Sequence, residues 1–512
     1  MKQPIFVFTI FSRGCEYLFH KFYRPGESAM TKKTTFIYAL VAFVAVVLLF
    51  FAIVVFPLAG GDSIVFLTPA LFYAKSGGFI NPLYYVTKLT NDARVNLFNY
   101  YVPLFPWLLG FFSKIYPGIK TLFLWCATFG IASLCLYSRE LKKKLSNNSV
   151  FFLIIAYLSI TYLAAYLIPT FGRPEILSSF IVTCLYLLYQ RKSSLTPLVY
   201  DTVLTLCFAL LLSTQILGFW FAYLIFLAEE FFSSQSTGKI ILQNTLRLIT
   251  ILSIFILILS LSPAGLMPTL TGIQKHISLV LLRHEHSFYL YCYYWFLSFL
   301  NFGFIIIFLL SGWYYLKVNL VRLKILSKSR VIIIIVLYLV LIISLFKFVL
   351  YSAPTVYNVT QFIIPILLFL LQRLSSEKKI ALCHYITLVV FAYGSLIFLR
   401  MVVLSIDYSR DGRDFGQASV QLDQQISRFD SVKISPGLWS LCNDVKKIRP
   451  IYDFDFKPGE MVVVQNGDES ERYLPLSRWE KIFDDRIPGG KIFLGLPVRH
   501  PQGYTFAIYR VK

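Results

Sequence analysis

Three groups of ionisable residues lie at the edges of long apolar segments. The first starts at Asp62, in Phe56-Pro57-Leu58-Ala59-Gly60-Gly61-Asp62-Ser63-Ile64, and continues through Lys75, Lys88, Asp92 and Arg94. The second is the short turn Phe171-Gly172-Arg173-Pro174-Glu175, and the third runs from Lys275 and His276 to Arg283-His284-Glu285-His286. A carboxylate held at a membrane surface beside a Gly-Gly turn is costly to desolvate and open to an arriving molecule. Such a group can take a proton from an attacking hydroxyl or amine, which suits Asp62. A guanidinium offers planar donors to two phosphate oxygens at once, which suits Arg173. His284 and His286 have the donor chemistry of a divalent metal site, although an HxH pair on a loop without a third identified ligand is a weak signal.

The elements that must position these groups are apolar. Of 512 residues, 57% are hydrophobic and only 14% charged, where a soluble chain of this length carries roughly a quarter. Stretches of about 20 apolar residues recur, each long enough to cross a ~30 Å hydrocarbon layer. The net charge of +22 does not indicate a nucleic-acid partner, because the cations concentrate in short linkers between alternate apolar runs. Those linkers are Arg139–Lys144, Arg191-Lys192, Lys317–Arg330 and Arg373–Lys379. Anionic lipid head groups add some attraction there.

The pattern predicts an all-α polytopic membrane protein with eleven spans, near 35–57, 118–138, 149–168, 175–190, 198–213, 215–231, 245–262, 293–316, 331–350, 358–372 and 380–403. The N-terminal segment 1–34 is then cytoplasmic, residues 35–404 form the membrane region, and 405–512 lie outside the cell. Residues 198–231 are read as two short helices broken at Ser213-Thr214-Gln215. No cleavable signal peptide is expected. The first outer loop, 58–117, holds two aromatic-rich pieces, 64–75 and 101–116, which are expected to lie along the interface. The alternative for the second is an ordinary transmembrane helix. The tail alternates apolar residues at strand spacing in 461–465, 491–496 and 504–509, with helical pieces at 418–429 and 477–484. It is expected to fold as a small α/β domain. Eight scattered cysteines show no metal-like spacing.

Downstream of Asp62 an aromatic follows at +4 (Phe66), a small residue at +8 (Ala70), glycine at +15 (Gly77) and proline at +20 (Pro82). That register resembles the first extracytoplasmic loop of the GT-C superfamily of membrane glycosyltransferases, especially protein O-mannosyltransferase-like and aminoarabinose-transferase-like enzymes. Arg173-Pro174-Glu175, followed by an apolar run and Arg191-Lys192, is similar to the Arg-Pro-Asp-like turn of bacterial members, with Glu in place of Asp. The resemblance implies transfer of a sugar from a polyprenyl-phosphate donor to a lipid, glycan or protein acceptor at the outer face of a bacterial inner membrane. It implies Asp62 as general base and inversion at the anomeric carbon. Donor phosphate contacts would come from Arg173, Arg94, Lys88 and Arg283, with Glu175 as a second acid or metal ligand beside the phosphate. No cofactor is implied beyond a possible divalent metal ion. Two departures bear on substrate: Ser63 stands where relatives carry a second acid, and Asn99-Tyr100-Tyr101-Val102-Pro103 lacks the cation of the aminoarabinose-type enzymes.

Each group also has a purely structural reading. Asp62 can cap a helix beginning at Ser63, Arg173 and Glu175 can form a local ion pair, and His284-Glu285-His286 can be a solvated loop. A transporter or flippase for lipid-linked glycans is the competing function. It would place charged or broken helices near the bilayer midplane.

Overall fold

Helical spacing of apolar residues dominates the chain, and its structure, a computed structural model, is mostly helical. Residues 29–50, 61–79, 101–144, 149–167, 171–233, 235–282, 304–344, 361–376 and 388–399 are described. So are 415–427, 429–435, 448–451, 456–465, 474–484, 492–493, 496–497 and 505–512 in the tail, with a few isolated residues.

The helices are α1 Ala29–Phe50, α2 Gly61–Ser76, α3 Leu104–Phe112, α4 Ile119–Lys144 and α5 Ser149–Leu167. After them come α6 Pro174–Gln190, α7 Pro197–Thr214, α8 Ile216–Glu230, α9 Thr237–Leu261 and α10 Leu266–Leu282. The set continues with α11 Phe304–Leu323, α12 Lys328–Ser344, α13 Ile363–Ser376, α14 Leu388–Leu399 and α15 Phe415–Ile426. Among the described residues three helices, Ile119–Lys143, Pro197–Thr214 and Thr237–Leu261, are long and apolar enough to cross a membrane. Along α9, Leu242, Leu246, Ile249, Leu252, Ile256 and Leu257 are all exposed. An apolar stripe of that length is satisfied by hydrocarbon rather than water, so this is a membrane protein.

Ion pairs define one end of the bundle. Glu140 near the end of α4 meets Arg191 just beyond α6 at 3.1 Å, and Lys192 meets Glu230 at the end of α8 at 2.6 Å. Arg322 near the end of α11 meets Glu229 at 2.9 Å, and Arg330 at the start of α12 donates to the Ser233 carbonyl at 2.7 Å. The linkers 139–144, 191–192 and 317–330 therefore converge. At the opposite end Gln215, between α7 and α8, reaches Glu175 at the start of α6 at 3.3 Å. Trp220 of α8 donates to Ser344 at the end of α12 at 3.0 Å. Thus α6 and α8 run parallel, with α7 antiparallel between them. The apolar stretch 198–231 is two helices, and Gln215 is the break.

The two aromatic-rich pieces of the first loop form α2 and α3, packed face to face. A Cβ on Gly110 of α3 would lie 2.6 Å from the Ala70 carbonyl oxygen of α2, so only glycine allows this approach. Nine residues make α3 a rod of about 14 Å, too short to span a membrane. Helix α2 begins at Gly61. Asp62 is therefore inside its first turn and is not the cap of a helix starting at Ser63. The helix ends at Ser76 and is followed by Gly77, whose φ of 74° is the left-handed conformation of a helix-terminating glycine.

Three further expectations are corrected. Residues 266–282, expected in a loop, form helix α10; Gly265, at φ 78°, turns the chain back from α9. Residues 480–484, expected to be helical, form strand β4. Eight residues are too few to sustain an isolated helix, and antiparallel pairing with a neighbouring strand wins. The strands are β1 Val432–Ile434, β2 Ile448–Pro450, β3 Met461–Gln465, β4 Glu480–Asp484, β5 Ile492–Phe493, β6 Leu496–Pro497 and β7 Phe506–Arg510. The main sheet has the order β2-β1-β3-β7-β4: β1 is parallel to β2 and β3, and β7 is antiparallel to β3 and β4. The expected strand 491–496 is instead the two-residue pair β5 and β6. Val463, Ile434, Phe506 and Ile508 share the large apolar core with Ala418, Leu422 and Ile426 of α15. Val462, Val464, Ala507 and Tyr509 pack with Ile451, Leu474 and Trp479 in a second core.

Candidate active site

The turn before α6 is built by local rules. Gly172 takes φ 79°, where a side chain would be strained. Arg173 is extended at φ −119° and ψ 149°, as a residue before proline must be, and Pro174 opens the helix, where its missing N–H costs nothing. Glu175 then falls in the first turn, where a negative charge meets the positive end of the helix dipole.

These constraints bring the Arg173 guanidinium back over Glu175. Nε donates to Oε2 at 3.2 Å and Nη2 to Oε1 at 3.1 Å, a two-point clasp. The Glu175 side chain is 3% exposed and that of Arg173 14%. A buried carboxylate is costly without such partners. Gln215 supplies another, its Nε2 donating to Glu175 Oε1 at 3.3 Å, while its own Oε1 accepts from the Tyr101 hydroxyl.

Tyr101 connects this cluster to α2. Its ring meets Phe66 edge-on at 5.2 Å, and Phe66 meets Phe105 of α3 at 6.2 Å. Phe66 lies one helical turn beyond Asp62, on the same face of α2. The first turn of α2 and the Arg173-Pro174-Glu175 turn therefore share one end of the bundle, opposite the basic linkers. The backbone of Asp62 is described there, but its side chain lies outside the described residues, as do Lys88, Arg94, Arg283, His284 and His286.

The donor set does not favour Glu175 as a metal ligand. Both of its oxygens are engaged by a guanidinium, and one of them also by an amide, whereas a hard divalent cation needs lone pairs directed at itself. Among the described residues no group of three or more His, Cys, Asp or Glu side chains is placed to hold a metal ion. Comparison with protein-family models, with curated proteins and with solved structures finds no match.

Several polar residues here are invisible to spacing. Gln215 reads in sequence only as a break between helices. Ser178 and Ser179, one turn past Glu175, are fully buried with hydroxyls that have no hydrogen-bond partner among the described residues. At the basic end, Glu229 accepts from Tyr189 at 3.2 Å, Tyr315 at 3.0 Å and Arg322 at 2.9 Å. Tyr338 donates to Tyr315, and Asn319 to Tyr338. Between α7 and α9, Arg247 pairs with Asp201 at 2.6 Å and with Asn244 at 2.7 Å. An acidic pair closing an apolar run, Glu229-Glu230, and a lone arginine inside one, Arg247, were the available signals.

Proposed function

We propose that this chain is a multi-pass membrane glycosyltransferase that moves a sugar from a polyprenyl-phosphate donor to a lipid, glycan or protein acceptor. Its reaction face is extracytoplasmic, in a bacterial inner membrane, with eleven spans and the tail as an outer α/β domain. One observation carries the reading: the turn bearing Asp62 and the Arg173–Glu175 clasp are linked through Phe66, Tyr101 and Gln215 at the end remote from the basic linkers. A positive-inside orientation places the basic end in the cytoplasm and this end outside.

The reaction asks little of the leaving group, which departs as an anionic phosphate. The acceptor oxygen or nitrogen attacks the anomeric carbon, the bond from that carbon to the phosphate oxygen breaks, and polyprenyl phosphate leaves. Asp62 takes the acceptor proton, a contribution worth about 10²–10⁴-fold. A single displacement inverts the anomeric centre. Arg173, Arg94, Lys88 and Arg283 stabilise the growing phosphate charge. Glu175 holds Arg173 in plane and does not itself touch the reacting atoms.

Purified protein in bilayers, supplied with labelled polyprenyl-phosphate sugars, tests this directly. Loss of label from the donor lipid with release of polyprenyl phosphate is the expected result. Intact labelled donor appearing on the other leaflet would instead mark a flippase.

A further inference from the structure

Gln215 breaks a local rule. It sits between α7 and α8 at φ −155° and ψ 105°, its N–H bonded to the Leu211 carbonyl at 2.7 Å and its carbonyl accepting from Phe219 at 3.0 Å. Position by position it is the N-cap of α8, where Ser, Thr, Asn and Asp are preferred because their short side chains satisfy the free amides of the first turn. The Gln215 side chain makes no cap bond. It is 2% exposed and points away from its own helices, to Glu175 of α6 on one side and Tyr101 ahead of α3 on the other.

Its orientation is dictated by its partners. A carboxylate only accepts hydrogen bonds, so the amide NH₂ must face Glu175. The amide oxygen is left for the Tyr101 hydroxyl, which donates. Reversed, the amide would set oxygen against carboxylate, so a single amide orientation serves both contacts. The backbone of Gln215 is fixed by the ends of two helices, and this makes the amide a rigid strut.

We infer that Gln215 is a positioning residue. It couples the docking of the α2–α3 pair, which carries Asp62, to the Arg173–Glu175 clasp. The proposal rests on the glycosyltransferase reading for its effect on transfer, but the coupling itself does not depend on that reading. Gln215→Leu removes both bonds while retaining bulk in an apolar setting. Tyr101→Phe removes only the hydroxyl and keeps the ring against Phe66.

Hydrogen exchange of the α3 amides, residues 104–112, decides the coupling whether or not the protein transfers sugar. Loss of one such bond is expected to raise exchange about three- to tenfold in either variant. The double variant should exchange no faster than the worse single one, because both remove the same contact. In the transfer assay kcat should fall about as much as exchange rises, with KM for the donor lipid within about twofold, the signature of a displaced group rather than a lost contact. Unchanged α3 exchange in both single variants, or additive exchange in the double, overturns the inference. Wild-type protein that consumes no donor overturns the glycosyltransferase reading alone, and the exchange result then still stands for the coupling.

Discussion

Helices α6 and α8 run parallel, and almost the same polar inventory gathers at their two ends. At one end are Glu175, Arg173, Gln215 and Tyr101; at the other are Glu229, Arg322, Asn319 and the tyrosines 189, 315 and 338. The arrangements differ. Around Glu229 the network closes on itself: Arg322 bonds both Glu229 and Asn319, Asn319 bonds Tyr338, and Tyr338 returns through Tyr315 to Glu229. Around Glu175 the chain of bonds runs outward to Tyr101 and the α2–α3 pair, and the next turn of α6 buries two hydroxyls without partners among the described residues. A closed network fixes helices against one another. An open one couples a buried carboxylate to the separate α2–α3 pair.

The largest effect should come from the closed end. Glu229→Ala leaves Arg322 and two tyrosine hydroxyls without their acceptor, a loss of about 3 kcal/mol. Denaturation in detergent should show it, while transfer per folded molecule stays within about twofold. A selective loss of transfer would mean that the basic end is not merely structural. Gly110→Ala comes next. Its Cβ would press on backbone at Ala70 as well as on the Tyr73 ring, at 3.0 Å, and backbone cannot move aside cheaply. A cost of about 2 kcal/mol is expected, with transfer falling further than stability, because α2 carries Asp62. Equal losses in both measurements would sever α2–α3 docking from the chemistry. The smallest effect belongs to Ser179→Ala. Removing a buried hydroxyl that has no partner should be neutral or stabilising by up to ~1 kcal/mol. A cost above that would show that the hydroxyl is bonded, and the open end would no longer differ from the closed one.

Hydropathy and charge made the helical architecture legible, and most bundle helices begin or end within a few residues of the apolar runs. Helix α9 is an exception: it starts at Thr237, well before the apolar run near 245. Hydropathy sees only the lipid-facing length, and Asn244 and Arg247 find partners on α7 and α8 that no single segment reveals. Strand β4 is not legible in sequence because Trp479-Glu480-Lys481-Ile482-Phe483 has helical periodicity, while its pairing with β7, bulged between Lys481 and Phe483, is long-range information. At the candidate site, the Arg173–Glu175 pair followed from adjacency across a proline. The contribution of Gln215 did not, since its partners are 40 and 114 positions away.

The central claim concerns Asp62, and one rate tests it: sugar transfer from a polyprenyl-phosphate donor by wild type and by Asp62→Asn, matched for folded protein and donor binding. Loss of the proton acceptor predicts that kcat falls about 10²–10⁴-fold while the donor still binds. Transfer by Asp62→Asn at the wild-type rate would contradict the assignment of Asp62 as the base.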